Sequence, residues 1–395
     1  VREVFLTFLR LGLTSFGGPI AHYAFFRRTF VDELEWLDEA TFARILAFCS
    51  IIPGPTSSQV GMLVGFTRGG PLGAFLAWLG FTTPSALAMI AIAATLRKVE
   101  VFSAGSPPPW FTGFLDGLFA AAAAVVAQAV LSLARSLCTD RPTQTIALGA
   151  TIVALALRPW PAFQWIVIAL GALAGGLWLT APGLRHEPLP IRVSNQVSAV
   201  AAVVFVALVG ITLLPRTAET AFLGTIVRAG SLVFGGGHVV LPLLQSLIRE
   251  GFIAPRDFFA GYGAVQALPG PINTFAAFLG YANRSPLHGL TGALVATVLI
   301  FLPSFALIFA IAPLWNRVAG APHAAGAVRG ANASVVGLLG AVLYDPVIVS
   351  LGGGSVKIGI ALAAFAAVAV WRLAPWMVVL GAAVCASLLE TVLFR

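Results

Sequence analysis

Two short strings in this chain place a glycine between prolines, each at an interruption of an apolar run. Pro53-Gly54-Pro55 leads into Thr56-Ser57-Ser58-Gln59, and Pro269-Gly270-Pro271 follows Gln266 and leads into Ile272-Asn273-Thr274. Proline at the opening of a helix leaves the amides beyond it free. Free amides and the positive end of the helix dipole together attract an anion. Thr56, Ser57 and Asn273 add donors on the same turns. Such side chains also cap helices, and a capped N-terminus can share its donors with a ligand.

A second pair of strings is Phe16-Gly17-Gly18-Pro19 and Phe234-Gly235-Gly236-Gly237-His238. Glycine costs about 1 kcal/mol and proline about 3 kcal/mol inside a helix, so both strings should break one. Within a membrane, broken backbone is tolerated only where protein or a water-filled cavity satisfies it. The plainer alternative is that the glycines let two helices approach closely. Arg10 and Arg228 precede these breaks in apolar surroundings. An isolated intramembrane arginine costs several kcal/mol and so faces a cavity or a partner, unless it snorkels to the headgroups. Two guanidiniums and two helix N-termini would suit a tetrahedral dianion, whose oxygens accept forked donors. His22 and His238, beside the breaks, are candidates for proton coupling, as is Asp116 in Gly113-Phe114-Leu115-Asp116-Gly117. For each histidine a structural role is the plainer reading, and for Asp116 an interfacial position. The acidic run Asp32, Glu33, Glu35, Asp38, Glu39 reads as a solvated loop and helix start.

The elements that must position these groups are membrane helices. Of 395 residues 59% are hydrophobic and 10% charged, with a mean hydropathy of +0.95; soluble domains carry about 25% charged residues. The stretches Pro71 to Leu96, Phe111 to Ala134, Ser194 to Leu214 and Leu287 to Leu314 reach the ~20 residues that cross a bilayer core. Trp110, Trp160, Trp178, Trp315, Trp371 and Trp376 stand at segment ends, as an aromatic belt would. Net charge is +8, but the arginines are dispersed, and only Lys98 and Lys357 are lysines. That is no nucleic-acid footprint. Cys49, Cys138 and Cys385 are too far apart and too few for a disulfide framework or a metal site, and no cofactor motif is present. There is no cleavable signal sequence, and a start at Val1 rather than Met is expected of a chain lacking some native N-terminal residues.

The order of signals repeats. At a spacing of 218 residues Arg10 falls on Arg228, Gly12 on Gly230 and Phe16-Gly17-Gly18 on Phe234-Gly235-Gly236; at 216, Phe42 falls on Phe258 and Pro53-Gly54-Pro55 on Pro269-Gly270-Pro271. Pro84-Ser85 then answers to Pro303-Ser304. The expected organisation is a repeat over 1–190, a linking transmembrane helix over 191–215 and a second repeat over 216–395. One unpaired helix between two repeats of even crossing number inverts the second, giving about thirteen membrane segments. Arginines divide evenly between the two sides, so the positive-inside rule sets no orientation.

At these residues the chain resembles the chromate ion transporter family in its long, two-domain bacterial form. The resemblance rests on Phe16-Gly17-Gly18-Pro19 with His22, Trp36-Leu37 before Pro53-Gly54-Pro55-Thr56, the string from Phe234 through His238 to Pro242, and Gln266 before Pro269-Gly270-Pro271. It implies a bacterial inner-membrane protein that exports chromate and confers chromate resistance, with sulfate as the look-alike anion. One departure is Ser50, where the second half has Gln266. No phosphate-binding loop, nucleophile elbow or zinc helix is present, so ATP-driven transport and intramembrane enzymes are disfavoured, and a sulfate or other oxyanion uptake carrier or channel is the alternative. The sequence sets no oligomeric state, and a homodimer is compatible with it.

Overall fold

The computed structural model describes residues 1–16, 18–98, 109–157, 163–179, 189, 191, 193–214, 217–233, 240–244, 246–249, 251–318, 321–349 and 354–393, and all regular structure among them is helical. The first half contains α1 (Arg2–Thr14), α2 (Gly18–Arg27) running into a π-helical turn, α3 (Glu39–Ile51), α4 (Thr56–Lys98), α5 (Pro109–Leu137), α6 (Arg141–Ala156) and α7 (Phe163–Trp178). After α8 (Asn195–Leu213) come α9 (Ala218–Leu232), the short α10 (Val240–Leu244) and α11 (Ser246–Arg249), and α12 (Pro255–Ala267). A 3-10 turn (Ile272–Thr274) opens α13 (Phe275–Ala282), which is followed by α14 (Gly289–Val318), α15 (Pro322–Val342), α16 (Ser355–Ala369) and α17 (Pro375–Leu393).

Among the described residues, five spans are long and apolar enough to cross a membrane: Thr56–Arg97, Trp110–Leu137, Asn195–Leu213, Gly289–Trp315 and His323–Val342. Their outer faces are apolar too; Val200, Val203, Val206, Leu290 and Leu294 are exposed, as lipid contact requires. The chain is an all-α polytopic membrane protein. Trp110, Trp178, Trp371 and Trp376 are exposed at helix ends, as the belt reading expects. Trp315 instead turns inward onto Phe48, and Trp160 lies outside the described residues.

α4 is two arms rather than one rod. Gly69 and Gly70 leave the helical region, Gly70 at φ 58° and ψ −149°, and Pro71 starts the second arm. The left-handed φ suits glycine alone. The arms then pack so closely that a Cβ on Gly65 would meet the Gly73 carbonyl; Gly280 of α13 and Gly292 of α14 meet in the same way.

α1 lies on the second arm of α4, where Gly12 abuts the carbonyls of Gly80 and Phe81, and α9 lies on α14, where Gly230 abuts the Ile300 carbonyl. The longest-range packing crosses between halves. Gly113 and Gly117 of α5 press on Ala386 and Ala382 of α17, while Gly326 and Gly330 of α15 press on Gly175 and Gly171 of α7. Small residues four apart on both partners let backbones touch, which is how helices associate where no hydrophobic effect drives them.

Aromatic rings fill the interior beside both turns: Phe26 meets Phe81 edge-on at 5.2 Å, and Phe258 meets Phe275 at 5.1 Å. The acidic run behaves as a solvated loop. Asp32 and Glu39 pair with Arg27 and Glu33 pairs with Arg28, while Asp38 accepts the Thr41 amide as N-cap of α3.

Candidate functional site

Both Pro-Gly-Pro turns need their glycine. Gly54 has φ 134° and Gly270 φ 93°, and a Cβ on Gly54 would strike Ser304 Oγ and Gln59 Nε2. A Cβ on Gly270 would lie 3.0 Å from Ser85 Oγ and 3.3 Å from the Phe81 carbonyl. The Gly54 amide donates to the Val233 carbonyl at 2.6 Å, and the Gly270 amide donates to the Ser15 carbonyl at 2.9 Å. Ser15 and Val233 are the residues that follow α1 and α9. Each turn is thereby fastened to the helix end that opens the opposite half, and each rests on the serine of a Pro-Ser pair in a long helix.

These two long helices touch each other: Trp78 of α4 packs edge-on against Phe301 and Phe305 of α14 at 5.8 and 5.7 Å. Thr56, Ser57, Ser58 and Gln59 at the start of α4, and Asn273 and Thr274 after the second turn, are buried. Gln59 Nε2 donates to the Pro53 carbonyl at 2.8 Å, and Thr274 Oγ1 donates to the Pro271 carbonyl at 2.8 Å. On or beside the turns, Ser15 Oγ, His22 Nδ1, Ser58 Oγ, Gln59 Oε1, Asn273 Nδ2 and Ser304 Oγ are buried with no hydrogen-bond partner among the described residues. Each such atom costs about 1–3 kcal/mol, so the group at each turn, Ser58, Gln59 and Ser304 at the first and Ser15, His22 and Asn273 at the second, calls for a ligand or water.

His22 stands beside the second turn, through Ser15. Its ring is buried, its Nε2 lies 3.2 Å from the Ser15 carbonyl, and it meets Phe81 edge-on. A carbonyl only accepts, so Nε2 carries the proton and the neutral ring presents Nδ1 as an acceptor. α1 ends at Thr14 and α2 begins at Gly18, so the chain breaks at the first Gly-Gly string. Gly17, Gly235, Gly236 and His238 lie outside the described residues.

Arg10 is not drawn to the turns. It is exposed on the face of α1 that carries Leu6 and Leu13, opposite the buried face of Phe8, Leu11 and Gly12. Arg228 is partly buried and donates through Nη2 to Thr225 Oγ1 at 2.9 Å. Asp116 lies in an ion pair with Lys357 at 2.8 Å, joining α5 to α16. Gln266 is partly buried near the end of α12, whereas Ser50 is exposed and donates to the Leu46 carbonyl.

The sequence reading missed three features. Ser85 and Ser304 were visible in the repeat match without a role, and Gln59 stood in the motif unremarked. The Arg329–Asp140 ion pair, between α15 and the cap of α6, had no local signal. A cavity of about 770 Å³ is lined by Pro53 and Arg329, with Ser231, Trp165 and Asn332 also in its walls.

Helices of this length and polarity, enclosing buried polar side chains and a cavity, define a polytopic membrane protein. The chain belongs to the chromate transporter family, a family of transporters, whose model matches residues 2–176 and 220–387. It is similar to the chromate transport protein of Pseudomonas aeruginosa, with 29% identity over 87% of this chain and 80% of the relative. It is also similar to the chromate transport protein of Cupriavidus metallidurans, with 26% identity over 87% and 82%, and to an uncharacterized transporter of Methanocaldococcus jannaschii, with 26% over 80% and 77%. No solved structure matches.

Proposed function

We propose that the chain exports chromate across the bacterial inner membrane by alternating access, and that two inverted repeats, 1–190 and 216–395 joined by the helix of 191–215, form the site between them. The observation that carries this reading is the cluster of buried, unpartnered polar atoms on two turns that are each fastened to the other half. The two stretches matched by the family model and the two chromate transport relatives support it. The first amides of α4 and those after Pro271 have no intrahelical acceptor, so they can serve an oxyanion. Arg10 and Arg228, one at each break, supply countercharge as the halves move. His22, His238 and Asp116 are the groups through which protons would couple. A potential negative inside contributes ~2.3 kcal/mol per charge per 100 mV, which drives a dianion outward without ATP.

The test is flux of chromate and of sulfate in proteoliposomes holding the purified chain under an imposed potential. Chromate flux that follows the potential and is slowed by excess sulfate is expected. No potential-dependent flux of either anion would defeat the reading, and sulfate flux alone would favour a sulfate carrier.

A further inference from the structure

The cavity beside the first turn has mostly apolar walls, in which Ser136, Thr139, Ser231, Arg329 and Asn332 supply polar side chains for a solute. Pro53 and Ser231 line it, and so do Asn332 and Arg329, one turn apart on α15. Arg329 donates through Nη2 to Asp140 Oδ2. Its other N–H groups and the Asn332 amide make no hydrogen bond among the described residues. Asp140 cannot follow a moving partner: its Oδ1 accepts the Thr143 amide at 2.9 Å and the Thr143 hydroxyl at 2.7 Å, capping α6. The carboxylate is fixed, and the guanidinium rides on a flexible stem.

The matching crossing in the other half is built differently. There Asp116 of α5 pairs with Lys357 of α16, so the acidic and basic partners are exchanged relative to α15 and α6. One turn beyond Asp116, where α15 has Asn332, α5 has Phe119, packed on Phe259 of α12. One crossing faces a cavity that Arg329 and Asn332 line; beside the other, Phe119 and Phe259 pack together.

Resting on the transport reading above, we infer that this cavity is the route by which the oxyanion reaches the Pro53 turn, and that Arg329 is the binding residue on that route. Its guanidinium passes between Asp140 and the anion. Low-dielectric walls strengthen a single cation, and the planar fork matches two oxygens of a tetrahedral dianion. Competition from the fixed Asp140 carboxylate keeps the anion from being trapped, as conduction past a charged site requires.

The experiment uses the full chain in proteoliposomes, with Arg329→Gln, Arg329→Lys and Asp140→Asn compared for chromate flux. Asparagine caps a helix as well as aspartate, so Asp140→Asn removes the charge and keeps α6 intact. The apparent KM for chromate should rise about tenfold in Arg329→Gln, with partial recovery in Arg329→Lys, and should fall several-fold in Asp140→Asn. A purely structural ion pair would instead lower abundance in all three and leave KM unchanged, which overturns the inference. A second readout needs no flux: Val328 lines the cavity, and in a Cys385→Ser background the V328C thiol should react with a charged thiol reagent and be protected by chromate or sulfate. A thiol that the reagent never reaches, as in a groove filled by an acyl chain, or that neither anion protects, also overturns it. Absence of flux in the unaltered chain defeats the transport reading instead, and thiol protection still decides whether the cavity takes an oxyanion.

Discussion

The amide of Gly270 is bound to the carbonyl of Ser15, 2.9 Å away across the interface between the two halves, and the residues that answer to them, Gly54 and Val233, make the same bond at 2.6 Å. Each turn is thus part of a joint and not a free-standing loop. Movement of either half must bend, carry or break these two bonds.

Gly54→Ala and Gly270→Ala should each destabilise the protein, because a left-handed residue with a Cβ costs about 1–3 kcal/mol. Gly54→Ala should be the worse of the two, since its Cβ meets Ser304 and Gln59 more closely than the Gly270 Cβ meets Ser85. Thermal unfolding of the detergent-purified variants measures the order, and equal melting temperatures to the parent would contradict it.

Replacing Arg10 and Arg228 separately with lysine and with glutamine tests their proposed countercharge. Lysine should retain part of the chromate flux and glutamine should abolish it, since an ammonium keeps charge without the fork. Lysine variants at parental flux would mark both residues as headgroup anchors, as the exposed position of Arg10 would suit.

Gly117→Ala should loosen the contact of α5 with α17, because the new Cβ would lie 2.6 Å from Ala383 Cα. Overpacking of this kind costs about 1–3 kcal/mol. Gly149→Ala on α6 is the matched control, since nothing lies within 4 Å of its Cβ. Monodispersity after detergent extraction reads the difference; loss in the control and not in Gly117→Ala would remove the crossing from the account.

If the second repeat is inverted, Arg141 and Ser355, at the starts of α6 and α16, face opposite sides of the membrane. Single cysteines there, with Cys385→Ser, should be labelled by an impermeant thiol reagent from opposite sides of sealed vesicles. Labelling of both from one side would leave a parallel repeat.

If His22 couples protons, His22→Gln should flatten the acid side of the pH dependence of chromate flux while leaving flux at higher pH near parental. Glutamine still offers an N–H to the Ser15 carbonyl. An unchanged profile would leave His22 as a structural bridge between α2 and Ser15.

The long spans and the Pro-Gly-Pro turns were legible in the sequence because they are written locally, in runs of apolar residues and in glycines and prolines that no helix interior tolerates cheaply. The first helix break was legible for the same reason. The crossings were not: Gly113, Gly117, Gly326 and Gly330 are four of 41 glycines, and only their partners distinguish them. Arg329 and Asp140 carried no signal either, since an ion pair between distant residues has no spacing to read. Gln59 was visible but had no assigned partner until the backbone placed it under Pro53.

The interlocked crossings also set a timetable. α5 leaves the ribosome hundreds of residues before α17, so its Gly113–Gly117 face must wait unfilled for tens of seconds at roughly 5–20 residues per second of synthesis. During that interval the first half is an unfinished surface, at risk of pairing with another nascent copy. Shelter for the early helices until the last one is made is therefore the expected requirement, and slowing translation after α7 should cost more yield than slowing it after α15.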